Sequence, residues 1–196
     1  MKEELTIGGC VEGCLEGLAE AGVRGQILIV DSSTDKTPEI ALARGAEVLR
    51  TPPRGLGRAY IDAIPYIRGK WSVMGDADLT YDFRRLAPFV AEFRKGAEVV
   101  MGSGCHGGIE CGAMPALHRY FGTPLTGWIL NRLYSADFSD IHCGMRGIPR
   151  AALLAMDIQS QSWESASAWV LKRVQTEVRR PDVPLGPLED GAVRLE

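Results

Sequence analysis

The sequence lacks any apolar run near the ~20 residues that a membrane-spanning helix needs. It also lacks a charge excess. Lysine and arginine number 22 against 25 aspartate and glutamate, a net charge of −3, and the pI is about 5.7. The basic residues are scattered, with only short pairs such as Arg84-Arg85 and Arg179-Arg180. A nucleic-acid binder usually carries a basic stripe, so a nucleic-acid partner is not expected. Histidine is scarce at 3, and the cysteines are 5, an odd number. Cys10 and Cys14 stand one helical turn apart, but no second Cys or His pair follows at zinc-ligand spacing. They read as small buried residues in a reducing compartment. Met1-Lys2-Glu3-Glu4 leads into a polar helix with no secretory leader, so a cytoplasmic protein is expected. Repeats and low-complexity tracts are absent too.

What is present is a soluble composition, 45% apolar and 24% charged, over 196 residues, enough for one domain with a real core. Residues 5–22 read as an amphipathic helix, with Ile7, Val11, Leu15 and Leu18 on one stripe. Ile27-Leu28-Ile29-Val30 is a short apolar run ending in Asp31, a buried strand of the parallel-sheet kind. Ser33-Thr34-Asp35 supplies turn and cap chemistry for a helix near 37–45, and Ala46 to Leu49 is a second strand. Gly55 and Gly57 open a helix near 57–68. Trp71 to Met74 is a third strand, Leu86 to Arg94 a helix, and Ala97 to Met101 a fourth strand. Such alternation predicts an α/β domain with a mostly parallel sheet, whose ligands bind beyond the carboxyl ends of the strands. Asp31, Asp76 and Ser103 fall at those ends. Further helices are expected near 125–134 and 163–175, with a glycine turn at Cys143-Gly144. The domain is read as residues 1–178, and 179–196 as a loosely ordered tail.

Met74-Gly75-Asp76-Ala77-Asp78 is the most informative segment. An apolar strand stops, and two carboxylates follow one residue apart. Where the chain turns beyond a strand, such a pair can converge on one hard cation, Mg²⁺ or Mn²⁺, which then shares diphosphate oxygens. Asp82 is a third nearby carboxylate. Two other readings share these letters. One is a solvated acidic turn. The other is the Asp-x-Asp-x-Thr loop of haloacid-dehalogenase-type phosphatases, with Asp76 as nucleophile and Thr80 in place. That loop normally follows a first strand, and here it follows a third.

Several segments together resemble one family. Val30-Asp31-Ser32-Ser33-Thr34-Asp35-Lys36-Thr37-Pro38-Glu39-Ile40-Ala41 resembles the second-strand motif of family-2 glycosyltransferases. Arg54-Gly55-Leu56-Gly57-Arg58-Ala59 resembles their glycine-rich turn, and Val73 to Asp78 their metal motif. Gly107 to Glu110, Gly112 to Pro115, Leu117 to Tyr120 and Asp140 to Arg146 resemble a branch close to dolichol-phosphate mannose synthases. The resemblance implies a three-layer α/β domain of the GT-A, nucleotide-diphospho-sugar transferase type. It implies transfer of a sugar from a UDP- or GDP-sugar, with Mg²⁺ or Mn²⁺, to an acceptor such as a polyprenyl phosphate. Asp31 and Val30 would contact the nucleotide, with Glu3, Arg54, Gly57 and Ala77 along its pocket. Asp76 and Asp78 would hold the metal and diphosphate, with Thr80 beside them. Arg146 would face phosphate, and Asp140 with His142 would border the acceptor. The aromatic and basic mixture of residues 115–134 is compatible with peripheral contact at the inner membrane face.

The chain also departs from the family pattern. The family's first strand, ending Pro-x-x-Asn-Glu and central in its sheet, has no counterpart before Lys2-Glu3-Glu4. The family's Gly-Ser-Arg becomes Gly102-Ser103-Gly104, and Ala168 stands where the family has Glu. Without that strand, the strands near 26–31 and 71–75 either close up and pair directly or keep open edges that leave the chain unstable. The alternative to an enzyme is a non-catalytic remnant that folds, or binds nucleotide, without turnover.

Overall fold

The structure, a computed structural model, describes residues 3–103, 144–155 and 182–184. The expected helix–strand alternation is present, with most boundaries within three residues; the helix expected near 57–68 stops at Ala63, where a 3₁₀ turn follows. Helix α1 (Ile7–Glu20) precedes β1 (Leu28–Asp31), α2 (Thr37–Ala43) and β2 (Glu47–Arg50). Then come α3 (Leu56–Ala63), a 3₁₀ turn at Ile64–Tyr66 and β3 (Trp71–Met74). Helix α4 (Ala87–Arg94) leads to β4 (Val100–Ser103). Strand β5 (Arg146–Pro149), helix α5 (Arg150–Ala155) and strand β6 (Asp182–Pro184) complete the described elements.

The strands form two half-sheets. β1 and β2 pair in parallel, with Asp31 opposite Arg50. The second half-sheet has the order β3-β5-β4-β6. β4 and β6 are parallel, but β5 lies antiparallel between β3 and β4. Two features differ from expectation. β5 was not anticipated, because a run holding Arg146, Gly147 and Pro149 carries no strand signal of its own; pairing on both sides makes it one. β6 falls within the stretch read as a tail, and its strand form comes from its pairing with β4.

Helices cover both faces, giving three layers. Side chains of β3 alternate, as a pleated strand requires. Trp71 and Val73 join a core built from Cys10, Phe83, Leu86, Phe89, Phe93 and Met145, under α1 and α4. Met74 faces the other way, toward Ile148, Ala152, Leu153 and Tyr60, under α3 and α5. Trp71 stacks on Phe93 with ring centroids 5.5 Å apart. Ile7 and Val11 of α1 pack with Ile29, Ala41 and Val48 over the first half-sheet. One helix, α1, therefore covers both half-sheets. Among the described strands, β1 and β3 share no ladder. Among the described residues the two strands have not closed up and paired with each other.

Helix α1 reaches the loop after β3 through a row of glycines spaced four apart. Leu79 lies against Gly9 and Arg84 against Gly13, while the main chain of Phe83 and Arg84 rests on Gly17. Such a row lets backbone approach backbone, since no Cβ intervenes.

Candidate functional site

The carboxyl end of β3 carries the central feature. Asp76 is half-buried and Asp78 exposed, and the turn between and beyond them is tight. Leu79 adopts φ 64°, a left-handed conformation that a leucine rarely holds. Its side chain packs against the Cys10–Phe83 core, which keeps it there. Asp78 Oδ1 accepts the Thr80 N–H at 2.9 Å, closing the turn. Ala77 packs against the cores of both half-sheets, so the residue between the carboxylates is fixed.

Charges converge on Asp76. Burial pushes its carboxyl above the usual carboxylate range; the negative charges of Asp78 and Glu3 push the same way, and Arg146 opposes them. Arg146, at the start of β5, is 5% exposed and pairs across the ladder with Met74. Its Nε donates to the Gly144 carbonyl at 3.4 Å. Burial, with Asp76 nearby, raises the Tyr60 phenol to about 12. Glu3, Asp76, Asp78 and Arg146, four of the predicted residues, thus gather at one place. Two carboxylates forced together, one of them partly desolvated, form a donor set that a divalent cation relieves. Among the described residues no group of three or more His, Cys, Asp or Glu could hold a metal alone. Two carboxylates fall short of a full coordination sphere, so any cation here would have to share oxygens of a ligand.

The other predicted residues are placed as follows. Val30 lies within β1 and Asp31 ends it, 6% exposed, with Ser33 N–H donating to its Oδ1 at 3.1 Å. Arg54 donates to Asp62 at 2.8 Å along α3, and Gly57 is buried in that helix. Thr80 is exposed. Asp82 turns to Arg84, whose Nε donates to it at 2.8 Å. Ser103 ends β4. Asp140, His142 and residues 115–134 lie outside the described residues.

Two tyrosines were missed. Tyr81 Oη accepts the Gly144 N–H at 2.7 Å, tying the carboxylate loop to the strand that carries Arg146. A Cβ on Gly144 would lie 2.8 Å from that ring, so any other residue there would push the Tyr81 ring aside. Tyr60 of α3 reaches the same cluster. Neither has a local sequence signal, because each contact spans distant segments. The cysteines behave as expected of a buried helix face. Cys14 donates to Cys10, which lowers the Cys10 thiol and raises that of Cys14.

A family model described as glycosyl transferase family 2 matches residues 2–155. The chain belongs to this family. Among curated relatives, the low-salt glycan biosynthesis hexosyltransferase Agl6 of Haloferax volcanii is 39% identical over all of this chain and 48% of its own length. The dolichyl-phosphate hexose transferase of the same organism is 34% identical over 66% of this chain and 56% of its own. The chain therefore spans about half the length of these relatives. Glucosyl-3-phosphoglycerate synthase of Mycobacterium tuberculosis, solved with Mn²⁺, uridine diphosphate and phosphoglyceric acid, superposes with TM-score 0.72 at 21% identity. That match covers 95% of this chain and 66% of the synthase. Mannosyl-3-phosphoglycerate synthase of Rubrobacter xylanophilus gives TM-score 0.68 at 22% identity, covering 94% and 64%. At such identity the likeness establishes the GT-A type fold.

Proposed function

We propose that this domain moves a hexose from a UDP- or GDP-sugar to a polyprenyl phosphate at the inner face of a membrane. The observation that carries the reading is the Asp76–Asp78 pair at the end of β3, with buried Arg146 beside it, in a family-2 chain. The relatives named as a hexosyltransferase and a dolichyl-phosphate hexose transferase support the donor and acceptor classes.

Asp76 and Asp78 hold Mg²⁺ or Mn²⁺ together with the donor diphosphate. The bound ion supplies charge neutralisation as the diphosphate departs. Arg146 adds a fixed positive charge at the same place, pre-aligned by burial and by the Gly144 carbonyl. Asp31 and Val30 meet the nucleoside at the end of β1. The acceptor's phosphate oxygen is already anionic, so no strong protein base is required. Asp140 and His142 are assigned to the acceptor side. Among the described residues no helix is long and apolar enough to cross a membrane, so membrane contact is peripheral in this reading.

Incubating the chain with radiolabelled UDP- or GDP-hexose, Mn²⁺ and a polyprenyl phosphate in detergent tests the proposal. Labelled lipid is expected, and none should form with Asp78→Asn. A second reading, nucleotide binding without turnover, is favoured by one observation. Among the described residues, Asp31 and Asp76 stand on half-sheets that share no ladder, so the strands described do not brace the nucleoside and diphosphate ends as one sheet. Metal-dependent binding with no labelled lipid would select it.

A further inference from the structure

We propose that Tyr81 is a positioning residue for phosphate capture: through Gly144 it fixes the direction of the Arg146 guanidinium and joins that charge to the carboxylate loop. The inference rests on the nucleotide reading above and deepens it.

The main chain of Arg146 is fixed by the sheet. It is paired on both sides, with Met74 of β3 and Met101 of β4. Met145 before it is fully buried in the core, and its carbonyl accepts the Gly102 N–H at 2.8 Å. Gly144 lies one residue further out, before the strand begins. Yet Gly144 supplies the carbonyl to which Arg146 Nε donates, at 3.4 Å. A long side chain keeps several rotamers unless contacts select one. Here a selecting contact comes from a residue with no Cβ, the type whose backbone angles are least restricted.

Tyr81 removes that freedom. Its ring packs against the Cys10–Phe83 core, and its Oη accepts the Gly144 N–H at 2.7 Å. The ring also fills the space beside Gly144, where a Cβ would meet Cε2 and Oη, both at 2.8 Å. One peptide group of Gly144 is thus pinned by Tyr81, and the other holds Arg146. The same tyrosine belongs to the turn that presents the metal motif. The N–H of Thr80, its neighbour, donates to Asp78 Oδ1 at 2.9 Å. Carboxylates and guanidinium are therefore set relative to each other by a tyrosine hydroxyl. A phenylalanine would fill the core as well, but only the hydroxyl reaches Gly144. Charges held in place before a diphosphate arrives need no reorganisation when it enters.

A double-mutant cycle on the full chain, read by calorimetry with UDP in Mn²⁺, tests this. Tyr81→Phe should weaken UDP binding about three- to tenfold when Arg146 is present. Arg146→Lys keeps a positive charge but has no Nε–H for the Gly144 carbonyl. In that background Tyr81→Phe should change UDP affinity by less than about twofold, because the group it orients is gone. Gly144→Ala keeps the hydroxyl and moves the ring, so it should weaken UDP in the same background-dependent way; it also serves if Tyr81→Phe does not fold. The same loss in both backgrounds, as a general loosening of the loop would give, overturns the positioning role while nucleotide binding stands. So does unchanged UDP affinity in both Tyr81→Phe and Gly144→Ala. If neither the wild type nor any variant binds UDP in Mn²⁺, the nucleotide reading fails and this inference with it.

Discussion

Replacing Gly17 by alanine probes how the metal-motif loop is held. Gly17 lies in the last turn of α1, still inside the helix, where alanine would ordinarily stabilise it by up to about 0.5–1 kcal/mol. Here a Cβ would overlap the Phe83 carbonyl oxygen and lie 3.0 Å from that of Arg84. Both obstacles are backbone, so neither can rotate away. Forcing a methyl into such a contact costs about 1–3 kcal/mol through displacement of packed groups. An overlap with backbone puts the cost in the upper part of that range, about 2–3 kcal/mol, so the net loss is about 1–2.5 kcal/mol, or about 2–10 °C in Tm for a domain of this size. Gly13 supplies the contrast. A Cβ there meets Arg84 at 3.7 Å, an ordinary contact, so Gly13→Ala should gain the helix term and melt slightly higher. Thermal unfolding followed by circular dichroism reads both. A Gly17→Ala protein melting at or above the wild type, or a Gly13→Ala protein falling as far as Gly17→Ala, would refute the packing of the 79–84 loop on α1. Gly17→Ala should also weaken Mn²⁺-dependent nucleotide binding, because Phe83 and Arg84 follow the carboxylates closely along the chain.

Three further outcomes are expected. An extended strand ending in Pro-x-x-Asn-Glu, appended before the chain, should pair with the edges of β1 and β3 that no described strand occupies, raise Tm and tighten nucleotide binding; each ladder bond contributes about 0.5–1.5 kcal/mol net, and an unchanged Tm would argue against an accessible slot. The Thr37 hydroxyl first, then the Thr37 N–H and the Ser33 hydroxyl, hold the Asp35 carboxyl down at about 2, below its unfolded value, so its contribution is full above about pH 4 and is lost as pH falls through 2. The Tm gap between wild type and Asp35→Asn should therefore shrink below about pH 4, and a gap as wide at about pH 2 as at neutrality would contradict the assignment. Beryllofluoride should form no aspartyl adduct at Asp76, and p-nitrophenyl phosphate should not turn over; hydrolysis lost on Asp76→Asn would move the chain to phosphatase chemistry.

Much of the fold was legible because its strands carry their own signal. Leu28–Asp31 and Trp71–Met74 are short apolar runs that stop at a carboxylate or a glycine, and helix α2 between them begins beside a turn in which Asp35 accepts the Thr37 N–H at 3.0 Å. The carboxylate pair was legible for the same reason: it follows an apolar strand end. What stayed hidden depends on contacts between distant segments. Strand β5 exists because β3 and β4 bracket it, not because Arg146-Gly147-Ile148-Pro149 prefers to be extended. Tyr81 matters through Gly144, 63 residues away. Arg50 is unremarkable in sequence, and only the parallel register of β1 and β2 sets it against Asp31. The spacing of Gly9, Gly13 and Gly17 was visible in the letters, but its meaning required the loop that rests on it.

The central claim is that Asp76 and Asp78 hold a divalent ion together with a nucleotide diphosphate. Titrating UDP and GDP into the chain by calorimetry, in Mn²⁺ and then in EDTA, tests it most directly. The account predicts binding that requires the metal, and a loss of about 2–4 kcal/mol on Asp78→Asn. Equal affinity in Mn²⁺ and in EDTA, unchanged by Asp78→Asn, would contradict it.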